Sequence, residues 1–186
     1  MPVPSPDVET SPSTRPTNTD GAWDPAFTIY QAVTSQDLAT TYELFIAYTD
    51  WLNLDLYFQD FKTELATLPG KYAPPSGCLL LAKPATTGGA QGVIAMRPLP
   101  SVGEAICEMK RLYVLPSARG MGIGRVLIRE AVRRAEEKGY REMVLDTLPS
   151  MKGAITLYRS ESFIERDAYY ENPIEGAIFF RKWLGR

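Results

Sequence analysis

The chain reads as an α/β (α+β) fold, a mixed sheet flanked by helices, on three observations. Short apolar runs alternate with period two, as in Phe27-Thr28-Ile29-Tyr30-Gln31-Ala32-Val33. One long segment, 122–138, repeats Ile123, Leu127, Ala131 and Ala135 at i+4, with arginines and glutamates mostly elsewhere. The two patterns follow one another along the chain in the order β-α-α-β-β-β-α-β-α-β-β.

Each element has its own signal. The first strand spans 27–33. Thr34 and Asp37 then form a capping-box-like start for a helix through about 48. A second helix is expected over 53–68, stopped by Pro69-Gly70, with a Pro-rich loop to residue 77. Strands at 78–83 and 91–97 flank the turn Thr86-Thr87-Gly88-Gly89, and a longer strand covers 105–114. The helix at 122–138 is stopped by Gly139. A strand at 142–148 precedes a helix through 159 that Ser150 is placed to cap. Strands at 163–166 and 177–183 close the chain. Residues 26–186 thus form one domain, whereas 1–25 are dense in Pro, Ser, Thr and Asp and are expected to stay disordered.

Composition removes several function classes. The 186 residues carry a formal net charge of −2, which gives no electrostatic reason to expect nucleic acid. No run approaches the ~18 apolar residues needed to span a bilayer. Histidine is absent, so Ser-His-Asp or Cys-His nucleophiles and His-ligated metals are excluded. Cys78 and Cys107 sit in apolar runs and read as small buried hydrophobes, consistent with a cytoplasmic protein, monomer or homodimer.

The loop Arg119-Gly120-Met121-Gly122-Ile123-Gly124 lies between a strong strand and a strong helix. Glycines there let backbone approach a ligand, and the helix N-terminus offers unpaired N–H groups to a pyrophosphate. Arg119 and Arg125 can add charge-assisted contacts. A dinucleotide fingerprint starting at Gly120 needs glycine where Arg125 stands, and no P-loop run is present. A glycine-rich helix start without a ligand stays open on the loop alone.

The stretch from Val114 to Leu127 resembles the pyrophosphate segment of the GNAT superfamily of acetyltransferases, whose Q/R-x-x-G-x-G/A pattern is met by Arg119, Gly122 and Gly124. Residues 107–114 look like that family's fourth strand, and 154–163 look like its final helix and following strand. The resemblance covers about residue 27 to the end. It implies acetyl-CoA as cofactor and a mostly antiparallel sheet whose fourth and fifth strands splay apart. It also implies that Leu112, Tyr113 and Val114 present backbone groups to the cofactor, one N–H polarising the thioester carbonyl. Two positions depart from the family's pattern: Met151, where members often carry a cofactor-contacting asparagine, and Ser162, where they carry glycine.

An alkyl amine is only about one part in a thousand neutral at pH 7, so a proton acceptor helps attack on a thioester and a donor helps the departing thiolate. Glu108 precedes Arg119 by eleven positions, similar to the glutamate base of histone-acetylating members. On an extended strand it shares a face with Lys110 and Leu112. A structural glutamate paired with Lys110 or Arg97 is the competing reading. Leu157-Tyr158 matches the position of the family's general-acid tyrosine, against which stands a plain core aromatic. The acceptor site implied by the resemblance draws on Tyr57, Phe58, Phe61 and the loop 169–173, with Tyr170 and Glu171 as contacts for an ammonium group. Arg97 and Lys110 could instead hold a substrate carboxylate. The expected function is acetyl transfer from acetyl-CoA to a small-molecule amine or amino acid. A protein lysine or N-terminal acetyltransferase and a non-catalytic acetyl-CoA-binding module remain as alternatives.

Overall fold

The computed structural model describes residues 27–53, 60–85 and 88–185. The tail expected over 1–25 therefore lies outside the described residues, as do Tyr57 and Phe58. The described residues form one seven-stranded sheet in the order β1-β2-β3-β4-β5-β7-β6. Its strands are β1 (Phe27–Gln31), β2 (Cys78–Pro84), β3 (Gly92–Pro98), β4 (Ile106–Val114), β5 (Glu142–Thr147), β6 (Ile164–Arg166) and β7 (Ile178–Trp183). All neighbours are antiparallel except β4 and β5.

Period-two alternation divides the core between the two faces. Leu80, Ile94, Cys107, Met109 and Leu145 pack under α3 (Ile123–Glu137) and α4 (Lys152–Ser160). Leu79, Leu81, Val93 and Ala95 pack on the other side, under α1 (Ser35–Leu52) with its buried Leu44 and Phe45. Half-buried Phe61 and Leu65 of α2 (Phe61–Ala66) join that side.

Helix ends follow local chemistry. The capping box of α1 is present: the Thr34 hydroxyl accepts the Asp37 N–H at 3.1 Å, and the Asp37 carboxylate accepts the Thr34 N–H at 2.9 Å. This helix continues to Leu52 because nothing breaks it before Asn53, which turns left-handed at φ 50°. Asn53 therefore ends α1 instead of opening the second helix, whose described part is Phe61–Ala66. Ser150 does not cap α4. Residue Met151 holds that position without a side-chain bond, and the turn is closed by backbone, with Met151 N–H donating to Leu148 O at 2.9 Å. Among the described residues no helix is long and apolar enough to cross a membrane.

Candidate active site

Strands β4 and β5 pair only at Ile106 with Glu142, Cys107 with Met143 and Glu108 with Val144. Beyond Glu108 they separate, and β4 keeps its ladder with β3 alone. Among the described residues the splay leaves one edge of β4 from Met109 to Val114 without strand partners, its backbone groups open to a ligand.

A β-bulge sits in that same stretch. Ala95 pairs with Lys110 but Val93 pairs with Tyr113, so β4 carries one extra residue, and Arg111 there has φ 58°. The bulge overturns one expectation. Glu108 and Lys110 share a face, but Leu112 packs on the opposite core with α3, whereas Tyr113 joins the α1 side. Arg111 is buried and donates Nε and Nη2 to Glu64 at 2.9 and 2.7 Å. The Tyr72 hydroxyl donates to the same carboxylate at 2.9 Å.

The glycine loop reaches α3 through left-handed backbone at Gly120 (φ 81°) and Gly122 (φ 86°), conformations glycine adopts at little cost. No side chain caps α3, and its first i→i−4 bond is Val126 N–H to Gly122 O at 3.2 Å. The N–H groups before it have no intrahelical acceptors and face an anion's ideal position at the positive end of the helix dipole. A Cβ on Gly124 would come within 3.2 Å of Leu157 and 3.9 Å of Val114, so the missing side chain keeps a cleft open between them.

That cleft is a cavity of about 730 Å³, walled by Leu112 to Val114, the loop with Arg119, Gly120 and Gly122 to Arg125, and residues 150–154 with Leu157. The donor-rich helix start and the unpaired β4 edge along one cleft fit a pyrophosphate joined to an extended arm. Most of the expected cofactor residues are thus brought together. Met121 is not among the lining residues and stands 53% exposed. Arg125 lines the cleft, but its guanidinium is held by Glu161 at 3.0 Å and by Ser160 at 3.2 Å. Arg119 stacks over Trp51, 4.5 Å from the ring centroid, and donates Nε to Val114 O at 3.1 Å.

Where the strands part lies a small cavity of about 40 Å³ that includes Tyr48, Lys110, Leu112, Asp146, Met151 and Tyr158. It shares Leu112 and Met151 with the large cleft. Tyr158 is 6% exposed and packs against Phe163 and Phe180 at centroid distances of 6.0 Å. Burial pushes its phenol well above the ordinary value, with Tyr48 and Asp146 adding to the effect. It stays a proton donor across any working pH. Burial likewise pushes Tyr48 up to about 12.

Lys110 and Arg111 join the splay to a third cavity of about 330 Å³, which Arg97, Glu108, Tyr169 and Tyr170 also line. Glu108 is 1% exposed, a carboxylate almost wholly buried. Its Oε2 accepts Arg97 Nε at 2.7 Å, and its Oε1 accepts the Tyr169 hydroxyl at 2.9 Å, with Lys110 Nζ at 3.7 Å. The two pairings weighed from sequence both exist, in a carboxylate that also lines the cavity. Lys110 Nζ lies closer to Asp146, at 3.1 Å. Tyr170 donates its hydroxyl to Asp146 at 2.9 Å and Asn172 donates Nδ2 to it at 3.1 Å. Arg97 and Lys110 are therefore already engaged by carboxylates. Glu171 is exposed and lines none of these cavities, and Tyr57 lies outside the described residues.

Neither cysteine is a nucleophile. Burial pushes Cys78 up to about 11 and Cys107 higher still, and Cys107 donates Sγ–H to Glu142 O at 3.6 Å. Sequence reasoning passed over Asp146, Glu64 and Trp51. Asp146 carried a signal, an acidic residue directly after the apolar run Met143-Val144-Leu145, whereas Glu64 and Trp51 gain their roles only through tertiary contact.

Comparison with known proteins agrees with this arrangement. Residues 38–163 match the model of the acetyltransferase (GNAT) family. An uncharacterized N-acetyltransferase of Schizosaccharomyces pombe is 40% identical over 146 residues, covering 78% of this chain and 88% of that protein. Another from Dictyostelium discoideum is 30% identical, covering 75% of this chain and 90% of its own. A Klebsiella pneumoniae structure described as an acyl-CoA N-acyltransferase superposes with a TM-score of 0.68 at 25% identity, over 87% of this chain and all (100%) of that one. A Salmonella typhimurium acetyltransferase fold, solved with its cofactor acetyl-CoA, gives 0.62 at 20% identity over 86% and 95%. Splayed strands, glycine loop and relatives converge: this chain belongs to the GNAT family of acetyl-CoA-dependent N-acetyltransferases.

Proposed function

We propose that this enzyme acetylates the primary amine of a small molecule, an amine or an amino acid, by direct transfer in a ternary complex. The observation that carries this is a row of three adjacent cavities that share lining residues. The cofactor cleft meets the splay cavity at Leu112 and Met151, and the splay meets the 330 Å³ cavity at Lys110 and Arg111. A cavity of that volume suits an acceptor of amino-acid size.

When bound, acetyl-CoA supplies an acetyl carbon on sulfur whose C–S bond is exchanged for a C–N bond. The α3 N-terminus holds the pyrophosphate, and the open edge of β4 offers an N–H near Leu112 to the carbonyl oxygen. Glu108 takes one ammonium proton, directly or through water, leaving the neutral amine to attack. Tyr158 gives its phenolic proton to the sulfur and regains one from the newly formed amide nitrogen. The buried thiols offer no acyl carrier, which favours direct transfer. They also fit a cytoplasmic location.

One observation favours a second assignment of the proton acceptor. Asp146 lines the splay cavity together with Tyr158, whereas Glu108 lines only the acceptor cavity. Glu108→Gln and Asp146→Asn decide between them: the true acceptor's variant loses most of its kcat/KM near neutral pH and recovers as rising pH supplies neutral amine. The function itself is tested by CoA thiol release from acetyl-CoA against amines, amino acids, polyamines, aminosugars and peptides. Turnover on small amines sustains it. Turnover on peptides alone replaces it with protein acetylation, and binding of acetyl-CoA without any turnover replaces it with a binding module.

A further inference from the structure

The acceptor cavity borders two others. It shares Lys110 and Arg111 with the splay. It shares Asp60, Glu64, Lys71 and Arg97 with a neighbouring cavity of about 60 Å³ beside Pro69, Gly70 and Tyr72.

The charges around this cavity are unevenly paired. Lys71, Arg97, Lys110 and Arg111 face Asp60, Glu64 and Glu108. Glu64 is taken by Arg111, Glu108 by Arg97, and Lys110 by Asp146. Lys71 has no ion pair among the described residues. Arg97 places Nε and Nη2 on the single oxygen Oε2 of Glu108, which leaves Nη1 available in a side chain that keeps 24% exposure. Two cationic donors therefore stand on the side of the cavity that borders the 60 Å³ one. Exposed Asp60 on the same rim opposes an anion and sets the sign of a second test.

We propose that the acceptor is a carboxylate-bearing amine of amino-acid size, its carboxylate gripped by Lys71 and the Nη1 edge of Arg97, beside the Glu108 that takes the proton of its amine. The grip moves from the Arg97–Lys110 pair expected from sequence to Arg97 with Lys71, because Asp146 occupies Lys110. A planar guanidinium edge beside a mobile ammonium suits a carboxylate better than it suits any neutral group. The inference rests on the acetyl-transfer reading and narrows its substrate.

The experiment compares each common amino acid with its C-terminal amide, which keeps shape and removes the charge. The expected result is turnover that favours the acid form. In Lys71→Met the KM for acids rises about tenfold, the low end for a lost bond to a charged group, while the KM for amides holds. In Asp60→Asn the KM for acids falls. Wild-type enzyme that favours amides, or a Lys71→Met variant whose acid-to-amide ratio is unchanged, overturns the proposal and leaves acetyl transfer standing. Thiol release from no acceptor at all overturns acetyl transfer instead. Calorimetry then decides the grip by itself: N-acetylated amino acids must bind more tightly than their amides, and lose that margin in Lys71→Met.

Discussion

Glu64→Ala tests whether the α2 carboxylate holds the bulge of β4. Glu64 and Arg111 form a two-pronged pair at 2.9 and 2.7 Å, with side chains 12% and 3% exposed. Truncating the carboxylate leaves a guanidinium buried without its anion, a change that costs about 3–5 kcal/mol when one partner of a buried pair is removed. The Tyr72 hydroxyl loses its acceptor at the same time. Since Glu64 keeps some contact with water, about 3 kcal/mol is the appropriate figure. For a chain of this size that corresponds to a fall in Tm of roughly 6–12 °C. Urea unfolding followed by circular dichroism measures the free energy, and Glu64→Ala/Arg111→Leu provides the control. Removing both charges should recover much of the loss, because the stranded charge is the dominant cost. A single variant within about 1 kcal/mol of wild type, or a double variant whose losses simply add, refutes the argument.

Four further outcomes are expected. Tyr158→Phe should lower kcat roughly 10²–10⁴-fold while acetyl-CoA still binds in calorimetry; full kcat would return Tyr158 to a packing role. Gly122→Ala meets no atom within 4 Å but forces a side chain to φ 86°, so the cost is conformational, roughly 1–2 kcal/mol, and the KM for acetyl-CoA should rise with it. Ser162→Gly should stabilise the protein by about 1 kcal/mol in thermal unfolding, because Ser162 sits at φ 65° where glycine is unstrained. The Thr34 N–H, followed by the Thr34 hydroxyl, holds the Asp37 carboxyl below its ordinary value. Its stabilisation is therefore present above the usual aspartate range and lost as pH falls through the lower folded value, so Asp37→Asn should weaken the fold at pH 7 and not in strong acid.

Most of the fold was written in local patterns. The capping box at Thr34 and Asp37 and the i+4 stripe of α3 are short-range signals, and tertiary contact reinforced both. The glycine loop was legible for the same reason, since left-handed backbone at Gly120 and Gly122 is a local demand. The bulge at Arg111 was not legible: nothing in Lys110-Arg111-Leu112 marks an extra residue, which is defined only by its pairing with β3. Consequently Leu112 was assigned the wrong face. Ser162 shows the converse case. It departs from the family's glycine, yet it is the left-handed residue that closes α4. Ser162 N–H donates to Arg159 O at 3.1 Å and Phe163 N–H to Tyr158 O at 3.0 Å. Asp146 stands out locally as an acid after an apolar run, but its partners Lys110, Tyr170 and Asn172 come from distant parts of the chain.

The bulge in β4 also divides labour along a single strand. Upstream of Arg111, Glu108 and Lys110 line the 330 Å³ cavity; downstream, Leu112 to Val114 line the 730 Å³ cleft. In a regular strand, a residue changed for one ligand would have neighbours two positions away on the same face, and both ligands would feel it. The inserted residue breaks that phase. Side chains at 108 and 110 can then change while residues 112–114 keep their register along the large cleft, which makes β4 two independently adjustable segments in one continuous backbone.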